Sequence, residues 1–144
     1  LQIRDIGLNK NFTMKILKTN WLNILGVFII LLIYSIIFNF TLQDNVTRTF
    51  SQSVFAALFL ICLYGFVFWT AFIVALIILD FVIIIPNQNN LKLKLLIEWI
   101  IISSPFIYWA IKYSEQRNFY LVAIITFLIT QLFRERLIKK LKNN

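Results

Sequence analysis

Residues 21–40 read WLNILGVFIILLIYSIIFNF, twenty positions without one charge. A helix of that length, at about 1.5 Å per residue, measures ~30 Å, the thickness of the hydrocarbon core of a bilayer. Trp21 opens the stretch where an amphipathic indole favours the headgroup level. This block decides the fold class, because the rest of the chain repeats its character. Sixty per cent of the 144 residues are hydrophobic and 14% charged, whereas soluble domains run nearer half and a quarter.

Three further apolar blocks follow. Residues 54–85 are interrupted by one charge, Asp80; as one helix they measure roughly 48 Å and must tilt, extend beyond the bilayer or break near their end. Pro86 and the Asn/Gln run at 87–90 mark the stop and turn. Residues 95–111 carry Glu98 near their start and Ser103-Ser104-Pro105 at their centre, and residues 119–133 form a shorter block. The expected fold is an all-α integral membrane protein of four transmembrane helices joined by short loops. Residues 1–20 are expected as an N-terminal cytoplasmic or interfacial segment, 21–133 as the transmembrane domain, and 134–144 as a cationic tail continuing the last helix. The first apolar block is too long for a signal-peptide core and lacks a small-residue cleavage site. The chain opens on Leu1, and Met14-Lys15 reads as a candidate start, which leaves open whether residues 1–13 belong to the native chain.

Orientation follows from the cations. With both termini cytoplasmic, eleven Lys and Arg face inward and three outward, as the positive-inside rule favours. A bacterial inner (plasma) membrane is the expected location, with an organelle membrane the alternative. Arg134, Arg136, Lys139, Lys140 and Lys142 flank the last block. They are expected, with Trp21, to anchor the chain at anionic headgroups, basic side chains snorkelling outward. The formal charge of +8 therefore reads as membrane orientation, and nucleic acid is not an expected partner.

The missing residues exclude much chemistry. Without histidine there is no His-ligated haem and no Ser-His or Cys-His nucleophile, and most zinc and copper sites are removed. Cys62 stands alone, so no internal disulfide or CxxC pair exists, and it reads as a small hydrophobe. Three glycines supply neither a phosphate loop nor a GxxxG contact. No enzyme activity and no cofactor are expected.

Two constellations remain. Asp80 and Glu98 lie on helices joined by a turn of about ten residues. Either they form part of an ion or proton path, since an intramembrane carboxylate is costly without work or a partner, or they pair with Lys92, Lys94, Arg134 or Arg136. Ser103-Ser104-Pro105 is a helix kink or break that frees a carbonyl one turn earlier, bonded by the serines or lining a substrate site. Asn23, Thr70, Thr126, Thr130 and Gln131 are expected to make interhelical hydrogen bonds. Loops of 7–13 residues leave little room for a soluble ligand site. The expected role is thus a non-enzymatic accessory subunit or assembly factor of a larger membrane complex, acting by helix packing with other subunits. The alternative is a small homo-oligomeric ion or proton channel or transporter using Asp80, Glu98, Ser103 and Ser104.

Overall fold

The structure, a computed structural model, describes residues 2–41, 49–86 and 89–143, with side chains described from residue 11 to 142 within those ranges, Tyr64 excepted. Residues 42–48 of the first polar loop and 87–88 of the second lie outside the described residues. The described chain is all helix apart from short turns. Helix α1 spans Gln2–Thr41, α2 Phe50–Phe59, α3 Phe66–Leu79, α4 Leu91–Lys112 and α5 Arg117–Asn143. Between α2 and α3 lies a π-helical turn, Leu60–Tyr64, and a second, Asp80–Ile84, follows α3. Three helices, Asn11–Thr41, Phe66–Ile84 and Leu91–Lys112, are long and apolar enough to cross a membrane.

Helix α1 is continuous through residue 20, with Ile16, Thr19 and Asn20 buried in the bundle. Helix α2 starts at Phe50 because Thr49 and Gln52 form a capping box: Gln52 N–H donates to Thr49 Oγ1 and Thr49 N–H to Gln52 Oε1. At the start of α4, Asn90 takes the left-handed conformation (φ 54°) that a short polar side chain tolerates.

The long apolar run 54–85 becomes two helices in series, α2 and α3, jointed at Gly65 and each followed by a π-turn. Its inward residues step by four: Ser53, Ala57 and Ile61, then Phe72, Leu76, Asp80 and Ile84. A pure α-helix of 3.6 residues per turn would rotate that stripe away from the partner helices. A π-turn bonds i to i+5 and holds more residues, bringing the stripe back inward. Gly65 N–H reaches Leu60 C=O at 3.3 Å and Ile85 N–H reaches Asp80 C=O at 2.8 Å.

Side-chain pairs fix the topology. At one end Phe40 meets Phe50, Tyr34 meets Phe119, and Phe68 meets Trp109; at the other, Asn20, Asp80, Glu98 and Arg134 meet. The rods therefore run up, down, up and down. Helix α5 makes broad contacts with α1 and α4, and the α2–α3 rod closes over α1 and α4. Gly26 lets α1 approach α5: a Cβ there would stand 2.5 Å from Thr130 Cγ2. Two apolar cores result. One holds Val27, Leu31, Ile61, Phe72, Leu76, Ile102, Ala123 and Phe127; the other, at the far end, holds Ile16, Ile84, Leu91, Leu95 and Ile138.

Candidate functional site: a closed ionic layer

Between the two cores lies a layer of charge. Arg134 of α5 is fully buried, and so are Asp80 and Glu98. Arg134 Nη2 donates to Asp80 Oδ1 at 2.6 Å and Oδ2 at 2.7 Å. Its Nη1 donates to both oxygens of Glu98 at 3.2 Å, and its Nε donates to Thr19 Oγ1 at 2.9 Å. Thr19 Oγ1 in turn donates to Ile16 C=O at 2.6 Å, and Asn20 Nδ2 donates to Asp80 Oδ2 at 2.6 Å. One guanidinium thereby ties α1, the π-turn after α3, and α4 to α5.

The sequence dictates each position. Inward residues of α5 recur at three- and four-residue steps, Phe127, Thr130, Gln131, Arg134 and Ile138, the spacing of one helix face. Arg134 falls on that face although it opens a cationic run. Asp80 begins the second π-turn, which keeps both it and Ile84 inward. Guanidinium suits the place: planar, always charged, with a fixed fork of donors. A buried ion pair survives only when its remaining polar capacity is satisfied, and here Thr19 and Asn20 extend the network.

Other charges lie elsewhere. Arg134, expected among the headgroup anchors, is an interior residue, because its helix face points at two carboxylates. Arg136, Lys139, Lys140 and Lys142 are exposed, as is Trp21, and Lys139 pairs with Glu135 one turn back. Lys92 is exposed too. Among the described residues no third His, Cys, Asp or Glu side chain joins Asp80 and Glu98 in a ligand set.

Ser103-Ser104-Pro105 does not break α4, which runs on to Lys112. Ser104 donates to Ile100 C=O at 2.7 Å, within the turn that Pro105 leaves short of a donor. Ser103 faces inward, 1% exposed, and its hydroxyl has no partner in the chain. The expected interhelical hydrogen bonds fall differently. Thr70 and Thr130 donate to carbonyls of their own helices. The amide of Asn23, one turn from the ionic layer, is buried without a hydrogen bond among the described residues, while the amide of Gln131 stands against Glu98. An interhelical bond that the polar inventory did not single out comes from Trp99, whose indole donates to Ile124 C=O at 3.1 Å.

No protein-family model, curated protein or solved structure matches this chain.

Proposed function

We propose that the chain is a four-span membrane protein with both termini cytoplasmic, set in a bacterial inner membrane, and that it serves as a non-enzymatic subunit or assembly factor of a larger membrane complex. The observation that carries this reading is the closed ionic layer. The charges of Asp80, Glu98 and Arg134 face one another between apolar cores, so the surfaces offered to other molecules are the sides of the helices. Those sides are apolar on every rod, with Ile33, Phe59, Val67, Ile101 and Ile129 among the exposed residues. Such continuous apolar area belongs against lipid or neighbouring helices. The orientation rests on the cation distribution, and the fourth span, α5, crosses with Arg134 neutralised by its partners. Gentle detergent extraction followed by native mass measurement should recover the chain with other subunits. Recovery as a lone 17.1 kDa monomer at every detergent strength would overturn the assignment.

A second reading, a homo-oligomeric proton or ion pathway, is favoured by one observation. Two carboxylates share one guanidinium, so the fully ionised layer carries one net negative charge. Asn23 and Ser103 stand on the next levels with unspent hydrogen-bonding capacity. A proton or small cation would balance that charge. Proteoliposomes should then show a flux that Glu98→Gln abolishes; flux no greater than in empty vesicles removes this reading.

A further inference from the structure

Toward the opposite end of the bundle from the ionic layer, α1, the α2–α3 rod, α4 and α5 enclose a chamber of about 580 Å³. Small-molecule pockets occupy ~300–1,000 Å³ and are walled mainly by apolar and aromatic side chains with a few placed polar groups. The chamber follows α1 from Val27 to Asn39, which makes it roughly 18 Å long at the helical rise. Phe38, Leu60 and Phe68 line it and are also exposed on the flank, so it is reached from the side as well as from the end at Gln116.

The lining selects further. Nine of the lining residues are Phe, Tyr or Trp. Trp69, Phe72 and Phe127 already stand edge to face, at 81° and 78°. Such walls favour a flat ring, which meets faces with its edges and edges with its faces; a saturated chain gains contact area alone. At the deep end is Ser103, whose buried hydroxyl spends no hydrogen bond within the chain, while its neighbour Ser104 is bonded to backbone. A buried donor left unmade is costly, and a ligand oxygen at that spot satisfies it.

We propose that this chamber binds a lipid-soluble molecule whose planar ring carries a carbonyl oxygen, a quinone-type headgroup. The ring lies among Trp69, Phe72, Phe106 and Phe127, and the oxygen accepts from Ser103 Oγ. The test uses the purified full chain in detergent, titrated with a short-tailed naphthoquinone by tryptophan fluorescence and by calorimetry. One saturable site is expected. Ser103→Ala should weaken it about threefold to tenfold, the worth of one neutral hydrogen bond. Ala123→Phe, which fills the chamber from a buried lining position, should abolish it. Without ligand, Ser103→Ala should melt no lower than the parent chain, which separates ligand contact from a structural role. Absence of saturable binding, or unchanged binding by both variants, would overturn the proposal. Decanol binding as tightly as the quinone would overturn the ring assignment.

Discussion

Replacing Arg134 with Met keeps an unbranched, flexible side chain, two atoms shorter, and deletes the cation that both carboxylates share. Two carboxylates, both fully buried, then face each other without compensation. Removing one partner of a buried pair costs about 3–5 kcal/mol. A second route gives a similar figure: hydrogen bonds to charged groups contribute about 1.5–3 kcal/mol each, and Arg134 serves two carboxylates, which gives about 3–6 kcal/mol. Against a total stability of about 5–15 kcal/mol for a folded protein, that is a large fraction. Equilibrium unfolding in mixed micelles of rising denaturing-detergent fraction, followed by tryptophan fluorescence, reads the change. The control is the triple variant Arg134→Met, Asp80→Asn, Glu98→Gln. With no charge left to strand, it should return to within about 2 kcal/mol of the parent, since uncharged replacements of buried ion groups are often neutral or stabilising. If Arg134→Met alone lies within about 1 kcal/mol of the parent, or the triple variant is no better than the single, the layer does not hold the bundle as argued.

Gly26→Ala should destabilise by about 1–3 kcal/mol through overpacking, because its Cβ meets Thr130 Cγ2. Thr130→Ser, which deletes that methyl, should restore most of the loss, and a double-mutant cycle with no coupling between the two would contradict the contact. Reporter fusions at Asn144 should report the cytoplasm and fusions at Glu115 the opposite side; an external C-terminus would show that α5 does not span. Changing Arg136, Lys139, Lys140 and Lys142 to Gln with Arg134 retained should weaken or invert insertion of α5 while the unfolding midpoint of correctly inserted protein stays put, as checked by protease protection and by the micelle titration. Normal topology and abundance in that variant would reduce those cations to a solvated tail.

The helices were legible in the sequence because apolar runs of bilayer length leave few other structures. Their ends were less so. The capping box at Thr49 and Gln52 was present in the letters but lay in a stretch read as loop, and α1 continues below Trp21 because Ile16, Thr19 and Asn20 keep an inward face among cations. Asp80 and Glu98 stood out as charges among apolar residues, with Arg134 one of four candidate partners. What hid the place of Arg134 was its company. It heads a run of five cations, and charge count outweighed helix phase. The signal existed: Thr126 and Thr130 share a face, and one more four-residue step reaches Arg134. The chamber had no such signal, since a void between helices depends on how the rods splay. The π-turns left only the four-residue spacing of small and apolar residues, which becomes informative once the partner helices are known.

The ionic layer also has a consequence in time. Arg134 follows Asp80 by 54 residues and Glu98 by 36. At a synthesis rate of about 5–20 residues per second, the carboxylates are incorporated roughly 2–11 s before their counter-ion. Were α5 to cross as proposed, the carboxylates of the earlier helices would stay near water or lipid headgroups until it arrives. That last helix is the one whose apolar stretch is shortest and whose arginine needs the waiting carboxylates in order to cross. Each half of the layer is thus a poor membrane solute until it meets the other. A truncated chain ending before Arg134 would leave two acids with no cation and expose the nascent bundle to quality-control proteolysis, so completion of the bundle and completion of the polypeptide become the same event.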